Sequence, residues 1–533
     1  MSEPARDDVR GSPARRRGTV LALALWLSAV AVFALVTRLP MIREGLWRDE
    51  AISVSIAAAP GLPELLARNR VSDYNPPLFN LVLAGYTRVA GADEATLKLL
   101  ALGLGLLAAA ATTALAFELG GEVAAALAAA LAVNNPLLIE MSTEVRAYSL
   151  SLFLAALALG VAFRLRRRGS GPGAFVGLAV LLTLLVYSHV AGGVVAGVLF
   201  GWGILEFLRG PSRPFGRRLA LAALVASATY LFWLPTTWRQ FRAGIPWETP
   251  MTPGERMESL LQRTTEVLPV PGGFEQPLFL VGIAGLAAAG VFFRSAVSAR
   301  FRGRWTELLV PSVSGGAVWI SLGLFSRHSR YLVIPAGFAA VVFSVAVSRV
   351  AAAAPKVPAS ARRAALAAVA ALIAAAFWAR WDLYEARRAL AARPKSGIRT
   401  LCRAEPLGSA DLVVVLPDYL APTVWYYCGR RDDLRGFARW SRPDLFDPSA
   451  HGAAWRDPQA PARVLEALER EIAEGRPARL LLIREQAPAR LLPFYQPGAD
   501  EFDAALGRRF DERLAGRFPG RIESVERVVL TPR

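Results

Sequence analysis

Arg15-Arg16-Arg17-Gly18-Thr19-Val20-Leu21-Ala22-Leu23-Ala24-Leu25-Trp26-Leu27-Ser28-Ala29-Val30-Ala31-Val32-Phe33-Ala34-Leu35-Val36 sets the frame for the whole chain. Three arginines lead into an uncharged apolar run, close to the ~20 residues that cross a ~30 Å hydrocarbon core. No small-residue cleavage site follows it, so it reads as a signal anchor and not as a cleaved signal peptide. Such runs recur. Leu99–Phe117 and Ala365–Trp378 are also free of charge until their ends. Over 533 residues, 54% are apolar, and mean hydropathy is +0.36. A soluble protein would need roughly ten buried helices without a polar stripe, whereas soluble helices normally show amphipathic periodicity. The pattern is that of a polytopic membrane protein.

The net charge of +18 does not signal nucleic acid. Only three of the 61 basic residues are lysine (Lys98, Lys356 and Lys395), and the arginine and alanine bias is that of a GC-rich coding sequence. Many arginines fall in short clusters between apolar runs, where the positive-inside rule places them in the cytoplasm. These clusters are Arg6–Arg17, Arg164–Arg168, Arg209–Arg218, Arg294–Arg304 and Arg349–Arg363. Successive clusters must be separated by an even number of crossings. Three intervals hold two runs each: 174–189 with 191–208, 219–236 with 277–293, and 306–325 with 331–348.

The first interval holds five runs: 20–37, 76–90, 97–117, 122–139 and 147–163. The weakest, Pro76–Ala90, is short and contains Asn80 and Arg88, so it is expected to lie in the outer interface. A last helix, 364–381, then exits outward. The expected architecture is an all-α membrane domain over 20–381 with about eleven crossings, preceded by a cytoplasmic tail, 1–19. Its long outer segments are 38–96, with interface helices, and 237–276.

Residues 382–533 are dense in charge and proline. Short β-like runs at Leu412–Leu416 and Leu480–Ile483, with a helical pattern over Arg463–Ala473, suggest a small extracytoplasmic α/β domain. Both cysteines of the chain, Cys402 and Cys428, lie there. An oxidising compartment permits a bridge between them; two buried free thiols are the alternative.

Polar clusters gather on the outer side. Leu46-Trp47-Arg48-Asp49-Glu50-Ala51-Ile52-Ser53 follows the first run. By itself it reads better as a solvated turn with an interface anchor than as a site. Asp73-Tyr74-Asn75-Pro76-Pro77-Leu78-Phe79 comes next, and then Glu140-Met141-Ser142-Thr143-Glu144-Val145-Arg146-Ala147-Tyr148. Ionisable groups at membrane depth are costly and mark functional sites by default.

These segments resemble the GT-C glycosyltransferases, in the family 39-like branch of protein O-mannosyltransferases and aminoarabinose transferases. Trp47-Arg48-Asp49-Glu50-Ala51 is similar to that family's first-loop Asp-Glu motif, and Asn75-Pro76-Pro77-Leu78-Phe79 to its His-Pro-Pro-Leu-Tyr. Ser142-Thr143-Glu144-Val145-Arg146-Ala147-Tyr148 resembles Ser-Gln-Glu-Ala-Arg-x-Tyr. Tyr187-Ser188-His189, Trp233-Leu234-Pro235 through Ile245-Pro246-Trp247, Ser329-Arg330-Tyr331 and Leu416-Pro417-Asp418-Tyr419 resemble later landmarks. The chain departs from the family at Asn75, where histidine or lysine is usual, and at Lys98, where arginine is.

The resemblance implies an inverting transfer from a polyprenyl-phosphate sugar to an acceptor hydroxyl on a glycan, lipid or protein. It places the chemistry at the outer face of a bacterial cytoplasmic membrane, among membrane lipids. A positioned carboxylate must take the acceptor's proton. Asp49 is the expected base, with Glu50 orienting it or holding a metal. Arg146 and Arg330 suit the leaving phosphate through their planar forks, with Lys98, Tyr331, Tyr148 and Asn75 nearby. Glu144 is expected to pair with Arg146 or to hold the acceptor. His189 reads as a phosphate or sugar contact, or as a packing histidine; His328 is equally ambiguous, and His451 is expected at the surface.

No metal-ligand spacing occurs. Asp49 and Glu50 offer oxygens to Mg²⁺ or Mn²⁺, but nothing requires an ion. No glycine-rich loop cradles a nucleotide. The rival readings are a flippase of lipid-linked sugars and a non-catalytic scaffold. Flippases and transporters tend to show internal repeats and broken helices at mid-membrane; the sequence shows no repeat, and its polar clusters sit at the outer ends of the apolar runs and not at their centres.

Overall fold

In a computed structural model, the described residues are 13–243 except 170, 210 and 211; 251–259; 306–353 except 324, 325 and 327; 385; 389; and 393–533 except 405, 430–433, 438–444, 476 and 487–494. The expected helices at 277–293 and 364–381, the arginine cluster 294–304, the Ile245-Pro246-Trp247 landmark and much of the 237–276 loop lie outside them.

The first run becomes α1 (Pro13–Arg38). Trp26 Nε1 donates to the Ala126 carbonyl at 3.1 Å, fixing α1 on α5 (Glu94–Asn134). Between them come three short helices: α2 (Arg48–Ala57), α3 (Leu62–Ser72) and α4 (Leu78–Ala90). The proline pair before Leu78 cannot continue a helix from α3, and Gly91, with φ +97°, stops α4. α4 is thus apolar but only 13 residues long, too short to span directly.

α5 begins at Asp93, whose side chain accepts from Thr96 N at 3.1 Å. It bends at Gly121, where φ is +76°, so the two expected runs 97–117 and 122–139 are joined through one glycine. α6 (Pro136–Met141) and a tight turn then lead to α7 (Tyr148–Arg168). α8 (Pro172–Ser188), α9 (Val190–Arg209), α10 (Arg213–Tyr230) and α11 (Leu234–Ala243) follow, then α12 (Thr306–Gly323) and α13 (Val333–Ala353).

Among the described residues, five helical segments are long and apolar enough to cross a membrane, and six if α10 and α11, bent by 67°, count as one. α8 and α12 are apolar but shorter. Close approach of small residues packs the bundle: a Cβ on Gly216 would lie 2.3 Å from Phe207 N, so α9 and α10 touch backbone to backbone.

The C-terminal part is a mixed five-stranded sheet, in the order β2-β1-β3-β5-β4. Its strands are β1 (Asp411–Leu416), β2 (Leu434–Gly436), β3 (Arg479–Glu485), β4 (Phe510–Phe518) and β5 (Val525–Pro532). β1 runs parallel to β2 and β3; β5 is antiparallel to β3 and β4. The expected β-like runs are the central strands, apolar because both faces are covered. The helices are α14 (Gly397–Ala404), α15 (Ala421–Tyr427), α16 (Pro448–Arg456), α17 (Ala460–Gly475) and α18 (Tyr495–Arg509). Cys402 and Cys428 are disulfide-bonded, tying α14 to the end of α15 with a Cα–Cα distance of 5.1 Å.

Candidate active site

The three polar clusters meet where α2, the turn after α6 and the start of α13 converge. Asp49 is the second residue of α2, where a helix N-terminus favours an acid. Its Oδ2 accepts from Arg330 Nη1 at 2.8 Å, and Arg48 Nε stands 3.7 Å from Oδ1. Arg146 Nη1 donates to the Asp49 carbonyl at 3.3 Å. The Asp49 side chain keeps 20% exposure. Burial by itself would raise this carboxyl, but Arg330, Arg146 and Arg48 hold it below its ordinary value.

Glu50 turns the opposite way, into the protein. Lys98 Nζ donates to its Oε1 at 2.5 Å, and Val145 N donates to the same oxygen at 2.8 Å. Lys395, from the chain leading into α14, reaches its Oε2 at 3.3 Å. Lys98 is wholly buried and also donates to the Thr143 carbonyl at 2.9 Å. It therefore braces Glu50 and the 142–147 turn from below.

The expected Glu144–Arg146 pair does not form. Arg146 N bonds the Glu144 carbonyl at 2.8 Å in a tight turn that sends the two side chains apart. Arg146 makes a two-pronged pair with Asp73, both contacts 3.2 Å, and bonds Ser53 Oγ at 2.9 Å. Glu144 accepts from Trp47 Nε1 at 2.9 Å and from Lys395 Nζ. Beneath the burial that opposes its charge, Lys395 and Lys98 hold the Glu144 carboxyl down to about 2.

Asn75 bonds Asp73 Oδ1 through both its backbone N, at 3.0 Å, and its side chain, at 3.1 Å. Here it shapes the Asp73 loop. Tyr148, His189 and Tyr331 form an aromatic cluster with ring centroids 5.7–6.1 Å apart. His189 Nδ1 accepts from Ala191 N at 3.1 Å, and its buried Nε2 has no hydrogen-bond partner among the described residues. Arg330 lies over Trp47 and Tyr331, 5.4 and 5.7 Å from their centroids. His451 is a correction: it is 2% exposed, packed among Tyr419, Phe446 and Trp455, not at the surface. These three rings bury it, and burial lowers it to about 3.

Sequence reasoning missed Asp73 and Lys395 as site residues. Asp73 carried a signal, since an aspartate before Asn-Pro-Pro can cap that turn through its side chain. Lys395 carried none. The carboxylates of Asp49 and Glu50 point apart, each toward cations, so this donor set does not fit a shared divalent ion.

No family model matches the chain, and no curated protein matches it. Solved structures do. ArnT from Cupriavidus metallidurans in the apo state is 14% identical with a TM-score of 0.59, over 96% of this chain and 98% of that one. The same protein bound to undecaprenyl phosphate is 16% identical with a TM-score of 0.56, over 95% and 97%. The oligosaccharyltransferase AglB from Archaeoglobus fulgidus, with an inhibitory peptide and a dolichol-phosphate, is 14% identical with a TM-score of 0.52, over 95% and 74%. Over nearly the whole chain, the fold is that of these GT-C structures.

Proposed function

We propose that this protein is an inverting membrane glycosyltransferase that moves a sugar from a polyprenyl-phosphate donor to an acceptor hydroxyl at the outer membrane face. The observation that carries the reading is the Asp49–Arg330 pair: a partly exposed carboxylate held at 2.8 Å by a guanidinium, in a fold shared with ArnT and AglB. Asp49 accepts the proton of the acceptor hydroxyl as its oxygen attacks the anomeric carbon. The bond from that carbon to the phosphate oxygen breaks, and polyprenyl phosphate leaves as the anion.

Arg330 and Arg146 stabilise that developing charge through their guanidinium forks. A donor phosphate competes with Asp49 for Arg330, and freeing the carboxylate from its partner raises its basicity. The aromatic cluster of Tyr148, His189 and Tyr331 flanks the sugar. The membrane domain spans 20–381 with about eleven crossings; the tail 1–19 is cytoplasmic and the domain 382–533 extracytoplasmic. The polar groups cluster at helix ends, which favours chemistry over a mid-membrane transport path.

Replacing Asp49 by Asn in the chromosome tests the reading by mass spectrometry of membrane lipids and envelope glycans. The expected result is accumulation of one sugar-bearing polyprenyl phosphate and loss of one sugar from a glycan, lipid or protein. Unchanged profiles would contradict it.

A further inference from the structure

Two of the three lysines in the chain meet at Glu50, and one of them belongs to the C-terminal domain. Lys395 is 1% exposed. Its Nζ bonds Glu144, lies 3.3 Å from Glu50 Oε2 and 3.8 Å from Glu44 Oε2. Its backbone is clamped on both sides. Lys395 N donates to the Glu44 carbonyl at 2.7 Å, and its own carbonyl accepts from Ile522 N and Glu523 N at 2.9 and 3.1 Å. The side chain therefore has a fixed origin, set by the turn between β4 and β5.

The groups facing it complete a charge cluster. Glu44 follows α1, Glu50 is in α2, Lys98 in α5, Glu144 in the turn before α7, and Arg521, in the β4–β5 turn, pairs with Glu44 at 2.7 Å. Three carboxylates face three cations. A further contact ties the same two parts together: Glu523 Oε1 accepts from Arg48 N, the residue before Asp49, at 3.0 Å.

We propose that Lys395 is a positioning residue of the active centre: it joins Glu50, beside Asp49 in α2, to Glu144 and so fixes α2 against the turn that carries Arg146, making the C-terminal domain part of the catalytic unit. The inference rests on the reading of Asp49 as the base, since its catalytic consequence runs through that residue. A buried carboxylate stripped of its cation is disfavoured as the ion. Without Lys395, Glu144 takes up a proton that it does not hold in the native protein. At higher pH, where it stays charged, it is repelled by Glu50 and the turn moves. Displacement of a reacting group by about 1 Å can cost ~10²-fold in rate.

The full-length protein in lipid nanodiscs, as wild type, Lys395→Met and Lys395→Met/Glu144→Gln, provides the test. One arm is infrared difference spectroscopy across pH 5 to 9, which needs no substrate. Lys395→Met is expected to show, beyond the Glu523 band common to all three proteins, a further protonated-carboxyl band that titrates in this range; wild type and the double variant are expected to lack that further band. The other arm is sugar transfer from polyprenyl phosphate. Lys395→Met is expected to lose ~10²-fold in kcat at pH 8 with donor KM changed less than about threefold, and to recover part of the loss at pH 6. Glu144→Gln in the same chain is expected to restore activity at pH 8.

A purely structural role would give a loss independent of pH and unrelieved by the second substitution, and that result overturns the proposal. So does the absence of a new titrating band. If wild type transfers no sugar, the functional reading fails, while the infrared arm still decides whether Lys395 sets the charge of Glu144.

Discussion

Asp49 stands among Arg330, Arg146 and Arg48, and their pull overcomes the burial that would otherwise neutralise it. A carboxyl whose folded pKa is depressed stays ionised from neutrality down past its unfolded value of about 3.9. In kcat/KM, which reports the free enzyme, transfer is therefore expected to be insensitive to this group between pH 5 and 8, with its acid limb below pH 4. Arg330→Met removes the cation at 2.8 Å. That change should move the acid limb upward and raise the donor KM at least tenfold, because a charge-assisted bond to phosphate is lost. Measurement of kcat and KM against pH checks both; an unmoved limb contradicts the pairing.

Glu523 shows the opposite behaviour. Burial, only partly opposed by Arg48, pushes its carboxyl up from 4.5 to about 7. Its contribution to stability is full below the unfolded value and declines as pH rises through the folded one. Glu523→Gln keeps an acceptor for Arg48 N. It should leave the protein more stable at pH 8, by up to about 3 kcal/mol, and flatten the thermal-unfolding profile between pH 5 and 8.

At the scale of elements, the site depends on how closely α5 approaches the turn before α7. A Cβ on Gly105 would fall 2.2 Å from Ser142 Cβ. Ser142 Oγ in turn accepts from Arg38 Nε, at the end of α1, at 2.8 Å. Gly105→Ala should cost roughly 1–3 kcal/mol of stability through overpacking and lower transfer by displacing Glu144 and Arg146. Thermal unfolding and kcat measured on one preparation check it.

The disulfide is a second lever. It holds α14 and α15, from which Arg399 pairs with Glu94 at 2.8 Å and Tyr427 Oη accepts from Leu46 N at 2.6 Å. Closing a loop with a sequence separation of 26 stabilises by about 3.5 kcal/mol in the chain-entropy account. Cys402→Ser/Cys428→Ser should lower the unfolding temperature and loosen the domain from the first loop. Proteolysis under reducing and oxidising conditions checks this.

The sequence reveals some of these elements and conceals others for physical reasons. Apolar runs such as Val20–Val36 stand out because hydrocarbon tolerates no charge. Pro76-Pro77 and the short run after it mark α4 as a separate helix too short to span directly. Asp49, Arg146 and Arg330 could be singled out because their segments resemble a known pattern. Their partners could not. Lys395 lies 345 residues from Glu50 in sequence, within no motif, and only the β4–β5 turn brings it in. Glu144 and Arg146 looked like a pair because they are near neighbours, but the turn between them sends one to Lys395 and the other to Asp73.

For the molecule as a whole, the positive-inside distribution predicts that Asp49, Arg146 and the domain from 382 onward face outward together. Single cysteines placed at exposed positions near Asp49 and on α17, in a chain lacking the native pair, should both react with an impermeant maleimide added to intact cells. Labelling at only one of them would break the topology. The fold shared with ArnT and AglB leaves the reaction to be measured directly. The decisive experiment is transfer of radiolabelled sugar from a polyprenyl phosphate by purified protein, wild type against Asp49→Asn. Wild type is expected to transfer sugar, and the variant to remain folded while its kcat falls by ~10²–10⁴-fold, the usual contribution of a positioned base. Equal transfer by both proteins, or none by wild type with any lipid-linked sugar offered, would contradict the assignment.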